Sequence, residues 1–250
     1  MSADAGFSDN QALVNNRMTA EERQRLIAAT TLTPEQQAAL DRGELVLRPE
    51  QLAYLAAFSK GFGDKSPAEI KAIMDRMAPD GGRIADTMAL ASNPHITTGL
   101  LDTGTPSIFA PPKGGAYALP DGVQKPLNAP AWQVPTRQVA TLDPLHPTTE
   151  IPSGAPPFLP TKDSLNDLAS IIERGNPALQ RGSDLDVGVM NKVGELVGQS
   201  NEAAKAGLSP GFYQAEVDPT LQHLLTATGR DPVVVHDALA GINGQATPAT

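Results

Sequence analysis

The sequence predicts an all-α fold, a multi-helix bundle of two helical halves with a long proline-rich irregular segment wrapped between them. The first observation is a recurrent pattern of helix starts. In this pattern Ser or Thr is followed by proline or, three residues later, by Glu or Gln. Apolar side chains then recur at spacings of three and four, the period of a helix buried on one face. The chain has only six Phe, three Tyr and one Trp, so aliphatic residues must fill the core, which favours helices packed on helices.

Helix starts are clear in the first half, residues 1–102. Thr19 and Glu22 form a capping box, which predicts a helix over residues 20–29. Proline at the first helical position predicts three further helices, beginning at Pro34, Pro49 and Pro67, and the pairs Gly81-Gly82 and Asn93-Pro94 bracket another. Because the three prolines are unequally spaced, we expect shared capping chemistry and no constant helical repeat.

Residues 103–161 form a proline-rich segment that separates the two halves. Thirteen prolines in this span exclude long helices and central strands. A linker between domains is one interpretation, and a segment wrapped over one body is the other. Interleaved apolar residues, which a free linker would not need, favour the wrapped segment.

The second half, residues 162–250, again has a helical pattern. We expect helices from Asp163 to Gly175, from Asp184 to Ser200, after the Asp218-Pro219 cap as far as Gly229, and after the Asp231-Pro232 cap, where "VVV" at 233–235 has strand propensity but follows a helix start. The two halves should pack as one composite domain. A polar start and an abrupt tail lead us to expect a fragment of a longer chain.

Composition limits the classes of partner. The net charge of −9 repels phosphate backbones, so we expect no nucleic-acid partner. No apolar run approaches the roughly 20 residues of a membrane span, so we expect no integral membrane segment. The chain has no cysteine, which excludes disulfides and thiol chemistry.

No motif in the sequence indicates catalysis or a cofactor. "GFGDKS" at 61–66 lacks the first glycine and the preceding strand of a phosphate-binding loop. His223 and the pair His236-Asp237 are the only metal candidates, since helical metal phosphohydrolases use such residues. A further carboxylate would be needed downstream, and none follows Asp237. We therefore predict no catalytic residue, no cofactor and no metal site.

Six strings together resemble one known family: "LTPEQQAALDRGELVL", "KSPAEIKAIM", "ALASNPHI", "GGAYALPDGVQKPL", "RGSDLDVGVMNK" and "ATGRDPVVVHDAL". The family consists of large helical mycobacterial proteins associated with type VII (ESX) secretion, often labelled as containing a TPR repeat region. The resemblance extends from about Asp9 to Gly244. It implies a segment of an exported or cell-envelope protein, and it carries no catalytic residues.

Three functions remain open at this point. The first is a non-enzymatic structural or interaction module of a type VII secretion-associated protein, secreted or in the envelope, with a protein partner of unknown identity. The second is the accessory region of a secreted metal-dependent hydrolase or toxin, with His223, His236 and Asp237 as its candidate ligands. The third is a cytoplasmic chaperone for secreted helical pairs.

Overall fold

Helices dominate the fold in the computed structural model, which describes residues 1–105, 107–130, 136–140, 148–152, 159–205 and 217–241. The described residues contain eleven α-helices, two short 3-10 turns and one β-hairpin. The helices are α1 (Ala3–Val14), α2 (Ala20–Thr30), α3 (Pro34–Asp41), α4 (Pro49–Lys60), α5 (Pro67–Arg76), α6 (Gly82–Ala91), α7 (Asp121–Asn128), α8 (Lys162–Arg174), α9 (Asp184–Lys205), α10 (Asp218–Thr228) and α11 (Pro232–Ala240). The predicted all-α class is confirmed.

Capping chemistry fixes the predicted helix starts. Reciprocal capping boxes are present at Thr19, Thr33 and Ser66, and proline occupies the first turn of α3, α4 and α5. The "VVV" stretch lies in α11, because the Asp231 side chain caps that helix. One start differs from the prediction: Val217 precedes α10, and Asp218 lies in its first turn.

The sequence did not predict α1, since its buried positions include polar residues. Asp9 and Asn10 are fully buried in this helix. Gly6 lets α1 approach α4 closely, because a Cβ atom at this position would lie 2.3 Å from the carbonyl oxygen of Tyr54. Packing on α4 therefore stabilises a helix that apolar periodicity does not indicate.

The middle of the core is α4, which is buried over most of its length. Tyr54 and Phe58 of α4 and Phe62 just after it form a ladder of rings, with centroids 6.1 Å apart for Tyr54 and Phe58 and 6.0 Å apart for Phe58 and Phe62. Among the described residues these three are the fully buried aromatic side chains, and aliphatic side chains fill most of the remaining core.

The proline-rich segment is more regular than predicted. It contains the short helix α7 and an antiparallel hairpin of β1 (Thr136–Ala140) and β2 (Thr148–Pro152), whereas long helices and central strands are what the prolines were expected to exclude. Both strands of a hairpin are edge strands, which tolerate proline. Pro126 lies near the end of α7, and Gly122 lets this helix lie against the backbone of Asp64 and Lys65. Residues 106, 131–135, 141–147 and 153–158 of the segment lie outside the described residues.

Contacts between the two predicted halves are extensive. Helix α8 of the second half contacts α5 and α6 of the first half, and α9 contacts α6. Both α8 and α9 also contact α7 of the proline-rich segment. One cluster of buried apolar side chains extends from Leu13 to Val234. Many of these helix pairs are distant in sequence. None of the helices in the described residues combines the length and the hydrophobicity that crossing a bilayer requires.

Candidate functional site

An open groove of about 670 Å³ lies between the 3-10 turn Pro177–Leu179 and helix α11. Residues from the turn, the α10–α11 connection and α11 line it: Pro177, Ala178, Arg181, Gly229, Arg230, Pro232, Val235, His236 and Leu239. This concave surface combines apolar side chains with cationic ones.

Asp231 holds one side of the groove in place. Its Oδ1 atom accepts hydrogen bonds from the backbone N–H groups of Val233 (2.9 Å) and Val234 (3.2 Å), which caps α11. Its Oδ2 atom accepts a hydrogen bond of 2.6 Å from the N–H group of Gly182, in the loop before α9. The cap thus also joins α11 to the rest of the bundle.

Arg230 holds the opposite side of the groove in place. Its guanidinium donates to the carbonyl oxygens of Glu173 (2.7 Å) and Gly175 (2.9 Å). These carbonyls belong to the C-terminal end of α8, where a positive charge is favourable because of the helix dipole. The side chain therefore anchors the α10–α11 connection and also brings a fixed positive charge to the groove.

The groove is cationic, although the chain as a whole carries a net charge of −9. Arg181 and Arg230 line it together with His236, and the nine lining residues in the described part of the chain include no Asp or Glu. Arg181 is held by Asp41, whose Oδ1 lies 2.9 Å from its Nε atom. An acidic ligand would therefore meet two positioned guanidinium groups.

Apolar side chains complete the surface. Leu239 is 79% exposed, and Val235 lies one turn before it on the same face of α11. Burying an exposed leucine side chain contributes about 1.5–3 kcal/mol of favourable free energy to binding. A partner with its own apolar face would recover this free energy on binding.

The structure does not group the three metal candidates within its described residues. The Nδ1 atom of His223 lies 3.2 Å from Oδ1 of Asn166, and its Nε2 atom lies 3.5 Å from Oε2 of Glu173. His236 contacts Asp237 at 3.1 Å, and its side chain is 72% exposed in the groove. Among the described residues, no three His, Cys, Asp or Glu side chains are grouped to hold a metal ion.

Sequence reasoning identified His236 but missed Arg181, Arg230 and Leu239. The spacing of Val235 and Leu239, four residues apart, could have indicated an apolar face on the last helix. The two arginines have no local signal, because their role depends on contacts with residues far away in the chain.

A family model described as a TPR repeat domain matches residues 28–249. The matched residues include α3 to α11 and therefore every residue that lines the groove. The unequal proline spacing had led us to expect no repeat, and the family match corrects that expectation. Neither the curated proteins nor the solved structures contain a match to this chain.

Proposed function

Because this chain belongs to the TPR repeat domain family, we propose that it is a non-enzymatic protein-interaction module whose binding site is the groove beside α11. The observation that supports this proposal is the pairing of exposed apolar side chains with positioned arginines, which is typical of protein interfaces. The predicted protein partner would bind here.

The charge of the groove specifies the kind of partner. We propose an amphipathic helix of another protein that places apolar side chains against Val235 and Leu239 and acidic side chains near Arg181 and Arg230. Such helices bind hydrophobic grooves through side chains spaced by three and four residues. The charge complementarity should also accelerate association at low salt.

Two synthetic amphipathic peptides test the proposal. Both carry the same leucine-rich face, and their polar faces carry Glu in one peptide and Lys in the other. Calorimetric titration should show binding of the Glu peptide, weakened by salt, and no comparable binding of the Lys peptide. Equal binding of both peptides, or binding of neither, would contradict the proposed site.

Leu239→Glu should weaken binding of the Glu peptide by about tenfold to a hundredfold, because an apolar contact is lost and a like charge is added. Leu101→Glu is the matched control. Leu101 is 91% exposed and does not line the groove. If the two variants weaken binding equally, the effect is not specific to the groove and the site is wrong.

We further propose that the module is part of a type VII secretion-associated protein that is exported or held in the cell envelope. The six-string resemblance supports this proposal. Its test is the distribution of the full-length protein between lysate, envelope and culture filtrate in a mycobacterial host, with and without a working secretion ATPase. Export that depends on the ATPase is the expected result, whereas cytoplasmic retention in both strains would overturn the proposal.

A further inference from the structure

A second cavity, small and partly open, lies between α6, the end of α8 and the start of α9. Its volume is about 10 Å³, and its lining includes Asp86, Asn176, Gln180 and Asp186. A space of this size holds about one water molecule. Unlike the groove, the cavity is narrow, and several polar side chains line it.

Two oxygen atoms at this cavity are buried acceptors without a donor among the described residues: Oδ1 of Asp186 and Oε1 of Gln180. Asp186 is 1% exposed and Gln180 is 3% exposed. Their other polar atoms are bonded, since Oδ2 of Asp186 accepts a hydrogen bond of 2.6 Å from the Ser183 hydroxyl and Nε2 of Gln180 donates to Ile172. Buried acceptors that lack a donor are rare and costly.

Charges around Asp186 do not balance. Asp86 and Arg83 face the site from α6, where Nη1 of Arg83 lies 3.6 Å from Oδ2 of Asp86. Asp231 and Arg230 face it from the connection before α11, and both influence the Asp186 carboxyl electrostatically. Three carboxylates thus meet two guanidinium groups, which leaves one negative charge in excess.

We propose that Asp186 and Gln180 form a buried proton-binding site. A proton from solvent adds to Oδ1 of Asp186, and the resulting O–H group donates to Oε1 of Gln180, either directly or through one water molecule. This single step supplies the missing donor and removes the excess charge. A Ca²⁺ ion fits less well, because it takes about six to eight oxygen ligands and only four oxygen-bearing side chains line the cavity.

The electrostatics agree with the geometry. Burial raises the pKa of the Asp186 carboxyl to about 7, and the nearby Asp231 adds to this rise while Ser183 and Arg230 oppose it. Because the folded-state pKa lies above the ordinary value of 3.8, the stabilising contribution of this group is complete below that value. It is lost as the pH rises through about 7.

Asp186→Asn tests the site, because asparagine resembles the protonated carboxyl. Its oxygen can accept from Ser183 while its amide donates to Gln180. Asp163→Asn is the matched control, since Asp163 lies exposed in the first turn of α8. Urea unfolding at pH 5 and pH 8 gives the folding equilibrium constant of each protein.

From pH 5 to pH 8, the folding equilibrium constant of the wild type should fall more than that of Asp186→Asn. The difference should be on the order of tenfold to a hundredfold. Asp163→Asn should follow the wild type. Burial also raises the pKa of the Asp86 carboxyl, to about 6, so infrared spectra at pH 6 should show a protonated-carboxyl band in both proteins that is stronger in the wild type than in Asp186→Asn. If Asp186→Asn does not fold, a pH titration of the wild-type spectrum alone still tests the site. Its carboxyl band should then disappear as the pH rises through about 7.

Parallel pH profiles for the wild type and Asp186→Asn would overturn the proposal, as would carboxyl bands of equal intensity in the two infrared spectra. Addition of CaCl₂ or NaCl at constant ionic strength provides another test. Selective stabilisation of the wild type by either cation, without stabilisation of Asp186→Asn, would identify a cation site and also refute proton binding.

A consequence for the groove rests on the proposed function. Loss of the proton places a charged Asp186 beside Asp231, which caps α11, and should weaken the attachment of that helix. The Glu peptide should then lose more affinity between pH 5.5 and pH 8 with the wild type than with Asp186→Asn. Absence of peptide binding at both pH values would contradict the proposed function, whereas the stability profiles test the proton site independently.

Discussion

Replacing Arg25 with methionine should destabilise the fold by leaving a buried carboxylate without its cation. Asp9 has a side chain only 1% exposed, and it accepts hydrogen bonds from Nε (3.0 Å) and Nη2 (2.7 Å) of Arg25 and from the Tyr54 hydroxyl (2.8 Å). The hydrogen bond with Asp9 raises the pKa of Arg25, while burial raises the pKa of Tyr54, so both groups stay protonated donors. This network joins α1, α2 and α4.

The size of the destabilisation depends on how far the Arg25 side chain is exposed to water. Removing one partner of a fully buried ion pair costs about 3–5 kcal/mol. The side chain of Arg25 is 33% exposed, so water can partly solvate Asp9 once the guanidinium is gone. We therefore expect Arg25→Met to lower the free energy of unfolding by about 2–3 kcal/mol.

Urea denaturation of a double-mutant cycle measures this effect. Asp9→Asn combined with Arg25→Met removes the unpaired charge and keeps an acceptor for Tyr54. The double variant should therefore be destabilised by at least about 1 kcal/mol less than the sum of the single variants. Arg17→Met, at an exposed arginine, is the control. The reasoning is refuted if Arg25→Met behaves like this control, or if the two single changes are additive.

Two further predictions concern packing. Gly6→Ala should lower the free energy of unfolding by about 1–3 kcal/mol, because the added Cβ atom would meet the Tyr54 carbonyl. Gly194→Ala in α9 should raise the free energy of unfolding by about 0.5–1 kcal/mol, because no other atom lies within 4 Å of its Cβ position. Thermal unfolding checks both signs, and equal effects would contradict the close α1–α4 approach. Phe58→Ala should cost about 3–5 kcal/mol, because this ring is fully buried between two others. A loss below about 1 kcal/mol in urea unfolding would show that the aromatic ladder does not stabilise the core.

Local chemistry allowed much of the fold to be predicted. The capping boxes at Thr19, Thr33 and Ser66 and the cap at Asp231 are made by residues within three positions of one another, so the chain encodes them directly. Apolar stripes likewise predict which face of a helix is buried. The helical class followed from these features.

Other elements could not be predicted in this way. Helix α1 buries Asp9, which is tolerated only because Arg25 and Tyr54 reach it from other helices. Helix α7 forms in a proline-rich segment because Gly122 fits against a distant backbone. In both cases a contact remote in sequence outweighs the local preference.

The candidate sites depend even more on tertiary structure. The sequence by itself determined the helix starts, the aliphatic core and the acidic net charge, since each is a property of neighbouring residues or of composition. Only the fold brought residues 177–181 beside residues 229–239 to make a cationic groove, and buried the Asp186 side chain. The physical reason is that burial and electrostatic environment arise from all the elements that surround a side chain, and most of those elements are distant in the sequence.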